Sequence, residues 1–153
     1  MTTQTSSRSY SIKEAAALTG LPASTLRYYE QVGVIAPVSR GATSGHRVYD
    51  EADLDQLVAV SCLSATGMSL DDMRTYLANA QLGPAAAADQ QALLQQQARH
   101  LAVEAERLVL RRRYLDLKVA YWQAVIDGDP QRRDRVAAQA LELADELRDT
   151  SHP

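Results

Sequence analysis

Leucine recurs every seven residues at Leu94, Leu101, Leu108 and Leu115, and Trp122 takes the next place in the series. The positions four residues after each leucine, Ala98, Ala105, Arg112 and Val119, form a second seam. Four consecutive heptads of this kind predict one long helix carrying a coiled-coil stripe. Such a helix cannot bury its stripe on itself, so it requires a partner, either a second copy of the chain or the chain's own head. Arg112 interrupts the seam and would help choose register or orientation in a parallel dimer.

The residues on either side divide into shorter helices. Ser11-Ile12-Lys13-Glu14 is a capping box, and the helix it opens is closed by Thr19-Gly20. Pro22 suits the first turn of a second helix over residues 22–32, stopped by Gly33. Two short helices joined by a tight glycine turn are the components of a helix-turn-helix. Over residues 36–49 the helical pattern lapses into Pro37, Gly41 and Thr43-Ser44-Gly45. These turn residues lie between the extendable segments Val34-Ile35 and Arg47-Val48-Tyr49, which predicts a small β-hairpin, or wing. Asp50 caps a third helix over 51–66, with Leu54, Leu57, Val58, Cys62 and Ala65 on one face. Ser69 with Asp72 caps a fourth, to about residue 79. Gly83-Pro84 precedes the long helix and Asp127-Gly128-Asp129-Pro130 follows it. A last amphipathic helix over 131–148 carries Val136, Ala140, Leu143 and Leu147. The fold expected is mainly α. A disordered tail (1–9) leads into a winged helix-turn-helix DNA-binding domain (10–80) and a coiled-coil dimerisation helix (81–126). A C-terminal helix and tail (127–153) forms a candidate effector or interface region.

Composition narrows the function classes. The chain of 153 residues is 46% hydrophobic and 23% charged, as expected of a soluble globular protein. Its single cysteine, Cys62, excludes a disulfide scaffold. Its apolar runs fall far short of the roughly 20 residues of a membrane span, and the Thr/Ser-rich N-terminus lacks a secretory signal, so a cytoplasmic setting is expected. A net charge of −3 argues at first against nucleic acid, but the charge is unevenly spread. Residues 1–49 hold five basic groups (Arg8, Lys13, Arg27, Arg40, Arg47) and two acidic ones, a net of +3, leaving −6 on residues 50–153. A basic head on an acidic body is the asymmetry expected when one end meets phosphate. No paired carboxylates, phosphate loop or His partner for Cys62 suggests an enzyme. A coiled-coil scaffold would account for the heptads without accounting for the head.

The segment Ser24-Thr25-Leu26-Arg27-Tyr28-Tyr29-Glu30, then Gly33, then Ser44-Gly45-His46-Arg47-Val48-Tyr49-Asp50, resembles the MerR family of transcriptional regulators. The likeness runs almost continuously from residue 10 to 77, and the long helix after it fits the family's dimerisation helix. The resemblance implies a homodimer whose two heads bind a dyad-symmetric operator in double-stranded promoter DNA. On activation, such regulators bend and untwist an overlong promoter spacer so that RNA polymerase meets both elements. Smooth bending alone costs roughly 1–6 kcal/mol, which an effector shifting the dimer between two head geometries could supply.

A recognition helix presents its N-terminal half to the major groove, which selects Ser24, Thr25 and Arg27 as DNA contacts. Tyr28 and Tyr29 are adjacent and cannot both face the core; one packs while the other offers its hydroxyl to phosphate. Arg47 and Tyr49 are two apart on a strand, and so are expected on one face toward a flanking phosphate or the minor groove.

The inducing signal is less legible. No cofactor is implied. Metal-sensing branches of the family carry cysteines that this chain lacks, and His46, His100 and His152 form no recognisable ligand set with Cys62. The position of Cys62 is similar to that of the lone cysteine in the aldehyde- and electrophile-responsive branch, where it is the reactive sensor. The alternative is a small core residue, because burial and a helix C-terminus both disfavour a thiolate. Arg74 or the Arg111–Arg113 run could supply the basic neighbour a reactive thiol needs. A third option is a small-molecule pocket at Tyr114, Tyr121 and Trp122, closed by the last helix, although that helix could instead extend the dimer interface.

Overall fold

A computed structural model describes residues 8–149. Most of the tail expected over residues 1–9, and the last four residues, lie outside the described residues. The elements run β1 (Tyr10–Ser11), α1 (Ile12–Thr19), α2 (Ala23–Gln31), β2 (Ser39–Arg40), β3 (Arg47–Tyr49), α3 (Glu51–Ala65) and α4 (Leu70–Leu82). A single 3-10 turn (Gly83–Ala86) then leads into α5 (Ala87–Ile126), and α6 (Pro130–Asp149) follows. The chain divides into two compact units, Met1–Gln97 and Ala98–Pro153, so the first turns of α5 belong with the head. They are fixed there by Gln90, which donates to the Tyr76 carbonyl at 2.9 Å, and by Gln97, which donates to the Thr66 carbonyl at 2.7 Å.

Local signals place the head's helices. The Ser11 hydroxyl accepts from the Glu14 amide at 3.3 Å, and the Glu14 carboxylate accepts from the Ser11 amide at 2.7 Å. Asp50 and Asp53 repeat this reciprocal box at the start of α3, at 2.8 and 3.0 Å. Ser69 caps α4 through the Asp72 amide. Gly20 ends α1 in the left-handed conformation (φ 71°) that a side chain would strain. These contacts satisfy backbone groups that would otherwise be orphaned at helix ends.

The wing is smaller than expected. Val34 and Ile35 do not form a strand; with Val38 they are buried in the head's core. The hairpin is β2 paired with β3, with Ser39 opposite Val48 and Arg40 opposite Arg47. Pairing of β1 with β3 (Tyr10 opposite Tyr49) makes a three-stranded antiparallel sheet in the order β1-β3-β2. Ala15, Leu26, Tyr29, Leu57, Val60, Met68, Met73 and Leu77 complete the core around it.

The buried face of α3 also differs from expectation. Leu57 and Val60 are fully buried and Leu54 partly so, whereas Val58, Cys62 and Ala65 face outward. Apolar residues cover more than one face of this helix, so spacing alone does not choose the face that packs. Cys62 is therefore not a core residue of this chain.

In the second unit, α6 folds back on α5 after the Gly128 turn. Val136, Ala140, Leu143 and Leu147 face inward as its stripe predicts, with Ala140 and Leu143 buried. They meet the face of α5 that carries Leu110, Tyr114, Leu117, Tyr121 and the buried Ala124. The heptad stripe lies on the opposite face and stays uncovered: Leu108 is 60% and Trp122 61% exposed.

Replacing Leu57 with alanine is expected to destabilise the protein by about 2–5 kcal/mol. Cys62→Ser, on the outward face, is expected to change stability by less than about 0.5 kcal/mol. Urea denaturation followed by circular dichroism checks both, and a larger loss for Cys62→Ser would restore the expected face.

Candidate nucleic-acid interface

Helix α2 starts after Pro22, whose carbonyl accepts from the Thr25 and Leu26 amides at 2.9 and 3.1 Å. Its buried side is Leu26 and Tyr29; its outer side presents Ser24, Arg27 and Tyr28, with Thr25 half-buried at the boundary. The adjacent tyrosines divide as their spacing requires. Tyr28 is 46% exposed, while Tyr29 is 6% exposed and its hydroxyl reaches Ser64 Oγ at 3.4 Å. Tyr29 is thus a packing residue, and the expectation that it offers DNA a contact is corrected.

Tyr49 is corrected in the same way. It is completely buried, because β3 is the central strand and turns this side chain into the core. Among the described residues its hydroxyl has no hydrogen-bond partner, and burial pushes that hydroxyl above its ordinary pKa. Arg47 does not share its exposure. The Arg47 guanidinium turns back onto Glu30 Oε1, with Nε at 3.2 Å and Nη2 at 3.0 Å.

Glu30 is the residue that sequence reasoning missed. Its other oxygen accepts from the Val38 amide at 3.0 Å, and Arg40 Nη2 stands 3.8 Å from Oε1. One carboxylate at the end of α2 thereby holds the chain entering the wing and both wing arginines. A lone acidic residue among the basic groups of residues 15–49 was the available signal. Partial burial opposes ionisation, but the Val38 amide, Arg47 and Arg40 outweigh it, and the carboxyl sits below its ordinary pKa.

These contacts gather Arg27, Arg40, His46 and Arg47 with Ser11 and Ile12 around a surface cavity of about 240 Å³. Its charged lining is entirely basic. The capped start of α1 adds the positive end of a helix dipole. A cluster of basic side chains from a helix and a hairpin is the kind of surface that suits a phosphate backbone. Arg40 and His46 thus stand beside Arg27 and Arg47 on one surface, with Arg47 paired to Glu30.

The other nominated residues are scattered. Cys62 is exposed on α3, and Arg74, one candidate neighbour, is already engaged with the Val32 carbonyl at 2.7 Å and with Asp71. Tyr114 and Tyr121 line a cleft in the second unit, but Trp122 stands on the exposed heptad face. Among the described residues, no group of three or more His, Cys, Asp or Glu side chains could hold a metal ion, and no helix is long and apolar enough to cross a membrane.

The Glu30 pairing has a pH signature. A carboxylate with a depressed folded-state pKa stabilises the fold fully above its ordinary value of 4.5, and that contribution disappears as pH falls through the lower folded-state value. Stability is therefore expected to decline below about pH 4.5 in the wild type and to decline less steeply in Glu30→Gln, as measured by denaturation at stepped pH.

Comparison with known proteins agrees with this geometry. The family described as "MerR HTH family regulatory protein" matches residues 10–80. The HTH-type transcriptional regulator YyaN of Bacillus subtilis is 41% identical over 68 residues, 44% of this chain and 49% of that protein. The chain thus spans about half the length of that relative, as it does of the regulator AdhR from the same bacterium. An HTH-type transcriptional regulator of Haemophilus influenzae is 32% identical over 117 residues, 74% of this chain and 84% of that protein. Among solved structures, HiNmlR, a MerR family regulator lacking the sensor domain and bound to promoter DNA, superimposes with a TM-score of 0.64 at 28% identity. That superposition covers 84% of this chain and 96% of HiNmlR. With its helix-turn-helix, wing and long heptad helix in the family's order, this chain belongs to the MerR family of helix-turn-helix transcriptional regulators.

Proposed function

We propose that the protein is a transcriptional regulator that binds a dyad-symmetric promoter operator as a homodimer in the cytoplasm. In this reading it switches transcription by distorting the DNA presented to RNA polymerase. The observation that carries the reading is the basic cavity of Arg27, Arg40, His46 and Arg47, formed by α2 and the wing of a chain whose net charge is negative. Ser24, Thr25 and Arg27 read base edges in the major groove. Tyr28, Arg40 and His46 contact phosphate, and Glu30 holds Arg47 in place. HiNmlR, similar over most of its length, is bound to promoter DNA. The exposed leucine stripe on α5 supports dimerisation, because a run of side chains such as Leu108, Leu115 and Val119 left in water is the signature of a missing helix. Two heads related by a two-fold axis call for a two-fold operator.

Selection from a random duplex library is expected to yield an inverted repeat, bound with an affinity that falls steeply with salt. Arg40→Ala should weaken binding to all sequences alike and lower the salt slope by about 1, whereas Arg27→Ala should also relax base preference. Leu108→Glu should give a monomer by light scattering that no longer selects a repeat. Retention of wild-type binding and salt slope by folded Arg27→Ala and Arg40→Ala proteins would overturn this assignment.

A further inference from the structure

In the second unit a cleft of about 310 Å³ opens between α5 and α6. Tyr114, Lys118 and Tyr121 line it from α5, and Ala137, Ala140, Leu141 and Ala144 line it from α6. The cleft exists because alanines face tyrosines there: the methyl groups are too short to fill the space beside the rings. Packed helices normally leave few voids larger than a water molecule, whereas about 300 Å³ is the lower end of the range for small-molecule sites.

The charge in the cleft is of one sign. The Lys118 ammonium lies 5.7 Å from the Tyr114 ring centre and 6.0 Å from that of Tyr121, held between two aromatic faces. No carboxylate lines the cleft, and among the described residues Lys118 makes no ion pair. Arg133, which acts electrostatically on Tyr121, is already paired with Asp134 at 2.8 Å. A cationic ligand would meet Lys118 as a like charge. An anion would meet an uncommitted ammonium and two phenolic donors. The aromatic walls and alanine floor suit a flat apolar body attached to that anion.

We propose that the cleft between α5 and α6 is a binding site for a small aromatic carboxylate, its ring against Tyr114, Tyr121 and the alanines and its carboxylate on Lys118. The ligand does not compete with the heptad seam, which occupies another face of α5. The chain carries its own reporter. Trp122, its one tryptophan, stands edge-on to Tyr121 with ring centres 5.3 Å apart at 89°, so a ring that displaces Tyr121 alters Trp122 emission.

The test titrates the full chain with benzoate, without DNA, following Trp122 fluorescence and calorimetric heat. Benzylamine and benzyl alcohol serve as the cationic and neutral counterparts. Benzoate is expected to saturate and benzylamine to give no saturable change. Lys118→Gln is expected to weaken benzoate roughly tenfold, the loss of one charge-assisted contact. Ala140→Phe, which fills the cleft, is expected to abolish binding, and Ala137→Leu provides the same block should the larger ring prevent folding. The proposal is overturned if benzoate gives no saturable signal or if benzylamine or benzyl alcohol binds equally well. It is overturned too if the folded Lys118→Gln protein binds benzoate like the wild type. Since no DNA is present, its failure leaves the operator-binding reading untouched.

Discussion

The head depends on one carboxylate. Glu30, at the C-terminal end of α2, accepts from the Val38 amide and from Arg47 and forms a longer ion pair with Arg40. A short helix and a hairpin whose strands are two and three residues long have little intrinsic stability in water. Joined through this carboxylate and through the core packing of Val34, Ile35 and Val38, they become one surface with a fixed spacing between Arg27 and the wing arginines. That spacing is what a DNA backbone would read. Arg47 is charged but not idle, since its guanidinium spends two donors on Glu30 and keeps the remainder for a ligand.

The long helix solves two burial problems at once. Along α5 the face of Leu110, Tyr114, Leu117, Tyr121 and Ala124 is covered by α6, while the face of Leu101, Leu108, Leu115 and Val119 is not. The two faces lie on opposite sides, because residues two apart on a helix are turned by about 200°. An intramolecular hairpin therefore leaves the heptad seam free. Within the second unit α6 does not cover the seam, and a second copy of the chain does so in the reading proposed above. The alanines of α6 allow the hairpin to close around two tyrosines without filling the space between them, and that is where the anion site arises.

Apolar residues distributed over more than one helix face are where reading by period loses its power. On α3, Leu54, Leu57, Val58, Val60 and Cys62 are compatible with more than one stripe, and the choice falls to Leu57 and Val60, which join the core with Ala15 of α1 and with Met73 and Leu77 of α4. The same limit applies to Tyr49. Alternation along a strand groups Arg47 with Tyr49, but β1 pairs on the far side of β3 and closes the core over the tyrosine while Arg47 bends back to Glu30. Glu30 itself carried no motif; its role depends on partners 8 and 17 residues away.

By itself the sequence determined what is local. The Ser11–Glu14 and Asp50–Asp53 boxes, the Ser69 cap, Gly20, the break at Gly128-Asp129-Pro130, the α6 stripe and the heptads all act through hydrogen bonds or spacings within a few residues, and each is found where its residues place it. Membership of the family was legible for the same reason, since the motif of α2 and the wing is read along the chain. The tertiary structure alone decided which tyrosine faces water, which side of α3 is core, that Val34 and Ile35 pack rather than pair, and that Lys118 stands between two rings. Those outcomes depend on which apolar surfaces meet, and burial is non-directional: it rewards any well-packed arrangement, so only the assembled core selects one.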